Sequence, residues 1–311
     1  MTVLEPKIST RISLNNVLFA TDFSAAAQTA LPYAVAICRQ YGSTLHAVHV
    51  IPEFNILVHA RAMDLVTLES AYEAELHDAR ERVKYLLPDL EGIAHHTYVR
   101  HGELWNVISD ILAKQQIDLL ILGTHGRTGM GKLVMGSVAE EVVRQATCPV
   151  LTVGPNASGH IQQEFQADGK NFGPMGIELK QIIFATDFAQ ESLAAAPFAV
   201  SLAEEFQARL GLLHVLEEHD REQPSPTEWA LQRLGRLVPS EASLWCQPES
   251  IVKFGRPAEC ILQTASEHNA DLIVLGIRPA GGHLGAATHL PWATAHKVIA
   301  HAKCPVLTVR T

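Results

Sequence analysis

The stretch IDLLILGTHGRTGMGKLVMGSVAEE, residues 117–141, decides the fold. An apolar run ends in it at Gly123, and a loop with three further glycines leads to a helical pattern that begins near Gly136 and Ser137. A short buried strand followed by a glycine-rich turn and a helix is typical of a parallel α/β sheet, whose ligands bind beyond the carboxyl ends of its strands. The stretch therefore predicts an α/β fold and the location of a binding site.

The chain contains the same pattern twice. IDLLILG returns as ADLIVLG at 270–276, and CPVLTV at 148–153 returns unchanged at 304–309. Residues 18–53 align with residues 183–218 without a gap, with 13 identities in 36 positions. Motifs that recur in the same order, with small changes in the distance between them, indicate a duplicated domain.

Within each copy, short apolar runs alternate with stretches of helical periodicity, which predicts a doubly wound, mostly parallel sheet. We therefore expect two tandem Rossmann-like α/β domains. The expected organisation is an N-terminal extension at 1–12, a first domain at 13–153, a linker at 154–176 and a second domain at 177–311. The linker is rich in Gly, Pro, Asn and Gln and has no sustained periodicity.

Composition and charge argue against several classes of protein. With 24 Lys and Arg against 33 Asp and Glu, the formal net charge is −9, so a nucleic-acid partner is not expected. Neither a signal peptide nor an apolar stretch of about 18 residues is found, so we expect a cytoplasmic protein without a membrane partner. The odd number of cysteines, five with no CxxC pair, fits a reducing compartment.

The glycine-rich loop predicts a phosphate site. Glycines let the backbone approach a ligand closely, and the amides of a helix N-terminus favour phosphate oxygens. Ser137 with Glu140 three residues later is also a capping box, in which the hydroxyl only satisfies the helix end. Because capping alone does not require Gly123, Gly126 and Gly136, we favour phosphate binding.

The two familiar nucleotide loops do not fit. Gly126, Gly131 and Lys132 have the spacing of a P-loop, but Leu133 stands where a magnesium-binding Ser or Thr is required. A Rossmann GxGxxG is absent after the first strand. Arg127 and Lys132 could screen phosphate charge, or could simply be solvated loop cations.

The ends of the first two strands supply further candidates. Asp22 falls at the carboxyl end of the first strand and Val50 at the end of the second, on the rim that holds the glycine loop. A carboxylate could accept hydrogen bonds from ribose or adenine, and a valine could flank a base. Considered alone, Asp22 could equally cap the following helix.

These features together resemble the universal stress protein family, whose ATP-binding members carry G-x2-G-x9-G-[S/T]. The chain has this signature complete, as Gly123-x2-Gly126-x9-Gly136-Ser137. The ATDFS strand end, the His-Val pair (His49-Val50, repeated as His214-Val215) and the closing CPVLTV are also similar. The resemblance covers nearly the whole chain. It implies a bound ATP, with Mg²⁺ shared between phosphate oxygens, and no catalytic or metal-ligating residue is assigned. The expected ATP-binding residues are Ala20, Thr21, Asp22, Val50, Gly123, Thr124, His125, Gly126, Arg127, Gly136, Ser137 and Val138.

The resemblance also implies a role and a mode of pairing. Such family members act as stress-linked regulators and often pair through their final strand. A tandem chain could satisfy that pairing internally, as a pseudo-dimer through 148–153 and 304–309, and a further homodimer stays open.

The second copy departs from the signature. Pro279 stands where the first copy has Gly126, and Trp292 stands at the position of the last signature glycine. A proline removes an amide donor, and a tryptophan there would fill space that phosphates need. Although Asp187 and Val215 are kept, the second copy is expected to bind no triphosphate.

These residues are compatible with three functions. The leading hypothesis is a regulator that binds one ATP in its first domain. A slow ATP hydrolase is the first alternative, but the loop offers only His125, Arg127 and Lys132 and no assignable general base. A nucleotide-independent interaction scaffold is the second alternative.

Overall fold

The computed structural model describes residues 12–52, 65–125, 135–155, 157, 160–162, 176–218, 220, 224–239, 242, 245–278 and 290–310. Their contacts divide them into two compact units. One unit holds the described residues of Leu14–Pro155 and Ile161–Ile177, and the other holds the rest. No helix in this part of the chain combines the length and the apolar character needed to cross a membrane.

The N-terminal unit is a parallel sheet of five strands in the order β5-β4-β1-β2-β3. Its strands are β1 (Asn16–Ala20), β2 (Thr44–Ile51), β3 (His95–His101), β4 (Leu119–Gly123) and β5 (Val150–Val153). Its helices are α1 (Ala25–Tyr41), α2 (Leu65–Lys84), α3 (Leu104–Lys114) and α4 (Ser137–Gln145), with a 3-10 turn at Leu87–Leu90. Helices that alternate with parallel strands confirm the predicted doubly wound α/β fold.

The C-terminal unit has the same strand order, β12-β11-β8-β9-β10, and is also parallel throughout. Its strands are β8 (Gln181–Ala185), β9 (Arg209–Leu216), β10 (Glu249–Phe254), β11 (Leu272–Ile277) and β12 (Val306–Arg310). Its helices are α5 (Gln190–Leu193), α6 (Ala196–Phe206), α7 (Pro226–Gly235), α8 (Pro257–Glu267) and α9 (Leu290–His301). Both copies of the repeat therefore fold alike.

One long helix of the first unit corresponds to two shorter helices in the second. Pro32 lies inside α1, whereas its counterpart Pro197 stands in the first turn of α6, directly after the break that ends α5. Proline cannot donate an amide hydrogen bond to the preceding turn, and it fits best at a helix start. The second unit adopts that solution, which the sequence periodicity alone does not distinguish from a continuous helix.

The segment predicted as a linker contains regular structure. Strand β6 (His160–Gln162) pairs with β7 (Gly176–Glu178) in a separate two-stranded sheet. Strands of three residues are too short to give a readable alternation of apolar and polar residues, so composition alone indicated a loop here.

An aspartate before the fourth strand of each sheet fixes the start of the first strand in the same unit. Asp118 Oδ2 accepts hydrogen bonds from the amides of Asn15 and Asn16, at 2.7 and 2.9 Å. Asp271 Oδ2 accepts from the amides of Lys180 and Gln181, at 2.8 and 2.9 Å. The aspartate shared by IDLLILG and ADLIVLG is therefore explained by strand positioning.

The glycine that ends β4 is required by helix packing. A Cβ on Gly123 would lie 2.8 Å from the carbonyl carbon of Ala26 and 2.9 Å from the amide nitrogen of Ala27. At the equivalent Gly276, a Cβ would lie 2.3 Å from the carbonyl oxygen of Glu191. Both contacts are to the backbone of the helix packed against the strand, α1 in the first unit and α5 in the second, so there is no room for a side chain, whatever the site binds.

All five cysteines are buried thiols. Burial raises the pKa of Cys38 and of Cys304 to about 12, which keeps these sulfurs protonated near neutral pH. A thiol held in that form is a poor nucleophile and a poor metal ligand, so these residues act as small core side chains.

Candidate functional site

A cavity of about 510 Å³ lies at the carboxyl ends of β1, β2 and β4, against the start of α4. Every predicted site residue that the structure describes lines it: Ala20, Thr21, Asp22, Val50, Gly123, Thr124, His125, Gly136, Ser137 and Val138. The remaining two predicted residues, Gly126 and Arg127, lie outside the described residues. In a parallel sheet these strand ends share one edge, which is why residues far apart in sequence meet here.

Other residues of this cavity were not identified from the sequence. Leu104 and Ile108 of α3 and Leu122 of β4 give it an apolar wall, and Glu75 of α2 adds a carboxylate. Leu104 and Ile108 are spaced for one helix face, but spacing alone does not show whether that face meets a cavity or a closed core. Nothing in the sequence around Glu75 distinguishes it from the other charged residues of α2.

The turn after β1 fixes the position of Asp22. Asp22 Oδ1 accepts a hydrogen bond from the amide of Ser24 at 2.9 Å, and the Ser24 hydroxyl accepts from the amide of Ala27 at 3.2 Å. Ser24 is therefore the N-cap of α1, and Asp22 closes the preceding turn. The capping interpretation of Asp22 is wrong, and its half-buried carboxylate faces the cavity.

His49, the histidine of the His-Val pair, supports the same turn from β2. Its Nδ1 lies 2.7 Å from the carbonyl oxygen of Thr21, so Nδ1 carries the proton and donates. Its ring packs 4.6 Å from the ring of Phe23, and the Arg82 guanidinium lies 4.6 Å from that ring. Phe23 has a positive φ of 60°, a conformation that such contacts must hold in place.

The C-terminal unit repeats this support. His214 Nδ1 donates to the Thr186 carbonyl oxygen at 2.8 Å, and its ring lies 4.3 Å from Phe188, whose φ is 63°. Arg233 lies 4.5 Å from the centre of the Phe188 ring. The shared His-Val pair is thus explained in part by the structure of the turn, independently of any ligand.

Burial makes the His214 side chain a source of acid sensitivity. Desolvation lowers its pKa below the ordinary 6.5, against the opposing effects of its bond to Thr186 and of nearby carboxylates. Just below pH 6.5 the unfolded chain therefore binds more protons than the folded chain. We expect the free energy of unfolding to fall as the pH drops through 6.5. His214→Asn keeps a donor for Thr186 but does not titrate, and should flatten this dependence.

Urea unfolding at about pH 7.5 and about pH 5.5 measures the effect, with the two values chosen on either side of the ordinary histidine pKa. An identical loss of stability in the wild type and in His214→Asn would contradict the assignment.

The start of α4 leaves its first amides available. Its N-cap is Gly136, which has no side chain, and no side chain among the described residues caps this helix. The Gly136 amide itself donates to the Thr124 carbonyl oxygen at 2.8 Å, and the Ser137 side chain is exposed. The capping-box interpretation of Ser137 is therefore wrong. The first amides of a helix have no acceptor within it, and they attract anions.

His125 begins the loop on the other side of the cavity. Its Nδ1 lies 2.8 Å from Thr124 Oγ1, and its carbonyl oxygen accepts from the Ser24 hydroxyl at 3.4 Å. The loop start is therefore tied to the turn that carries Asp22, so the two sides of the cavity are held together at its rim.

Comparison with known proteins identifies the family. Residues 14–154 and residues 178–310 each match the model of the universal stress protein family. The chain belongs to this family. A universal stress protein of Methanocaldococcus jannaschii is 28% identical over 137 residues, which cover 44% of this chain and 80% of that protein.

Two further universal stress proteins match nearly the whole chain. One from Mycolicibacterium smegmatis is 23% identical over 306 residues, covering 94% of this chain and 96% of that protein. The crystal structure of one from Archaeoglobus fulgidus matches with a TM-score of 0.65 at 19% identity, covering 96% of this chain and 99% of the other. The structural match shows that the tandem fold is shared.

The second universal stress protein domain has a smaller cavity, of about 310 Å³, at the same strand ends. Asp187, Val215 and Gly276 line it, but α9 begins at Leu290, three residues before Ala293, the counterpart of Ser137. Helix α9 is therefore almost one turn longer at its start than α4. The amide of Ser137 is free at the start of α4. Its counterpart, the amide of Ala293, lies inside α9 and forms a hydrogen bond within that helix.

The sequence pattern predicts a different cause for the difference between the two domains. Trp292 was expected to fill the phosphate space, but it is not among the described residues that line this cavity. Its ring lies instead 6.1 Å from that of His296 on α9. Pro279 lies outside the described residues.

Proposed function

We propose that this universal stress protein is a regulator that binds one ATP in its N-terminal domain. The observation that carries the proposal is the convergence in one cavity of the strand-end residues Asp22 and Val50 with the uncapped start of α4. The cavity volume of about 510 Å³ falls within the range of roughly 300–1,000 Å³ that is usual for small-molecule sites.

The two ends of the cavity suit the two ends of a nucleotide. Val50, Leu104 and Ile108 offer apolar surface for a base, and Asp22 offers an acceptor for a base amine or a ribose hydroxyl. At the other end, Gly136 and the first turn of α4 offer amides for phosphate oxygens. ATP satisfies both ends with one molecule.

The charge of the site favours a metal carried with the nucleotide. The described lining residues include Asp22 and Glu75 but no Lys or Arg, so the cavity wall does not by itself neutralise a triphosphate. Mg²⁺ held between phosphate oxygens would supply that charge. Amides at the start of α4 would orient the phosphates, while Asp22 would orient the nucleoside.

We propose that the second domain acts as the built-in partner of the first. Its longer α9 removes amides that a triphosphate needs, while its scaffold is retained. In each unit the CPVLTV strand stands at one end of the strand order, where pairing between 148–153 and 304–309 would form an internal pseudo-dimer. Bound ATP would then favour the conformation of the protein that binds it more tightly, to an extent set by the difference in affinity between the two conformations.

Titration calorimetry with MgATP on the full chain is expected to give one site per chain. Asp22→Asn keeps an oxygen for the Ser24 amide but loses the charge, so we expect ATP to bind about tenfold more weakly, as for one charge-assisted hydrogen bond. Asp187→Asn is the matched control, because Asp187 makes the same turn in the second domain and should not affect binding.

A stoichiometry of zero or two would contradict the proposal, as would equal effects of the two substitutions. Phosphate release measured on the same samples separates a binding protein from a slow hydrolase.

A further inference from the structure

A second cleft lies in the C-terminal domain at the amino ends of its strands, opposite the edge that holds Asp187. It has a volume of about 390 Å³. Gln181, Arg209 and Glu249 line it from the starts of β8, β9 and β10, and His268 and Asn269 line it from the end of α8. Of the described residues around it, only Leu210 has an apolar side chain. The cleft is suited to a small polar ligand.

The duplication shows how this cleft differs from the first domain. At the repeat spacing of residues 18–53, Gly211 corresponds to His46, and Gln181 corresponds to Asn16. In the first domain His46 fills the position, with Nε2 3.3 Å from Asn16 Oδ1 and Nδ1 3.1 Å from the Tyr98 hydroxyl. In the second domain a Cβ on Gly211 would lie 2.6 Å from Ile183 Cδ1 and 3.3 Å from Ile251 Cδ1, so Gly211 leaves Gln181 without the histidine partner that Asn16 has.

Gln181 is a buried amide that the protein does not pair. Its side chain faces the cleft, the residue is only 5% exposed, and Nε2 lies 3.6 Å from where a Cβ on Gly211 would stand. Within the described residues, its side chain forms no hydrogen bond; only its backbone is bonded, to Asp271. Because this amide borders the cleft and has no partner among the described residues, it is available to hydrogen-bond a molecule bound there.

The charges of the cleft define that ligand. Arg209 forms no ion pair with any described residue, and the only described basic side chain that Glu249 approaches is His268, at 3.8 Å. The other carboxylate, Glu267, is already held by Lys253 at 2.9 Å. The cleft thus presents one cation and one carboxylate on neighbouring strands that do not neutralise each other. A purely anionic ligand would be repelled by Glu249, and a purely cationic one by Arg209.

We propose that this cleft binds a free α-amino acid with a polar side chain. Arg209 pairs with the ligand carboxylate, because a guanidinium matches carboxylate geometry. Glu249 pairs with the ligand ammonium, which also lies at the carbonyl end of α8, where a positive charge is favoured. The Gln181 amide donates to and accepts from the polar side chain of the ligand. The site is separate from the proposed nucleotide cavity and does not depend on it.

Thermal unfolding of the full chain with each protein-forming amino acid in turn tests the proposal. We expect at least one polar amino acid to raise the melting temperature by roughly 5 °C at a concentration of about 100 times its Kd. Arg209→Gln should weaken the binding of that amino acid about tenfold, as for one lost charge-assisted pair. Gln181→Met keeps the volume but removes the amide, and should weaken binding similarly without lowering the melting temperature of the unliganded protein.

Arg236→Gln is the matched control, since Arg236 is an exposed arginine of the same domain outside the cleft. It should leave the affinity unchanged. The proposal is overturned if no amino acid stabilises the protein, or if Arg209→Gln and Gln181→Met both bind the stabilising amino acid as tightly as the Arg236→Gln control.

Discussion

Gly276→Ala is expected to destabilise the C-terminal domain by about 3 kcal/mol, and Gly123→Ala should have a comparable effect on the N-terminal domain. A Cβ at Gly276 would lie 2.3 Å from the carbonyl oxygen of Glu191 and from the Cα of Ser192. These are backbone atoms of α5, so the clash cannot be relieved by turning a side chain. The whole helix would have to move away from the sheet.

Urea unfolding followed by circular dichroism measures this loss. Gly235→Ala is the matched control in the same domain, because nothing lies within 4 Å of its added Cβ, and its stability should change by no more than about 0.5 kcal/mol. If Gly276→Ala and Gly235→Ala proved equally stable, the packing account of this glycine would be refuted. For Gly123, the result also shows that replacing this residue does not test nucleotide binding alone.

Ser137→Asp should abolish most ATP binding without harming the fold. Ser137 is exposed in the first turn of α4, where an acidic side chain stabilises a helix by about 0.5 kcal/mol. The same charge would stand beside the proposed phosphates. Repulsion of about 2 kcal/mol corresponds to a roughly 30-fold loss of affinity, and several phosphate charges make this a lower bound.

Calorimetric titration with MgATP checks the loss, and thermal unfolding checks that the domain is intact. Ser137→Asn is the isosteric neutral control and should bind ATP nearly as well as the wild type. Ala293→Asp places the same charge at the equivalent, exposed position of the second domain and should have no effect. Tight ATP binding by Ser137→Asp would mean that the phosphates do not lie at the start of α4.

The fold and the meeting of the site residues could be predicted because they follow from topology. Once the apolar runs are assigned as parallel strands, their carboxyl ends must share an edge, and Asp22, Val50 and Gly123 must approach one another. The repeat then transfers the same expectation to Asp187 and Val215, which the structure also places around one cavity. The double α/β fold is confirmed on these grounds.

The sequence does not decide which residue caps a helix, where a helix begins or which helical side chain faces the cavity, because the local alternatives are nearly equal. Asp22 and Ser24 are both good helix caps, and only the backbone path decides that Ser24 takes that position. The second copy has three more residues between Gly276 and CPVLTV than the first copy has between Gly123 and CPVLTV. They could have lengthened a loop, but α9 already begins at Leu290. Glu75 lines the cavity because of the orientation of α2. The spacing of residues in the sequence does not show which charged residue of a helix faces a cavity.

The helix contact at Gly123 and Gly276 also bears on how a nucleotide site could be built in the second domain. Helix packing requires that glycine in both domains. A domain that binds no nucleotide can therefore accept substitutions in its loop and at its helix start, but not at the glycine of its strand end. The second domain has kept Asp187, Val215 and Gly276 around its cavity. An engineer who wished to place a nucleotide there would therefore need to graft the segment between β11 and α9 together with the first turn of α9, since the surrounding scaffold is already in position.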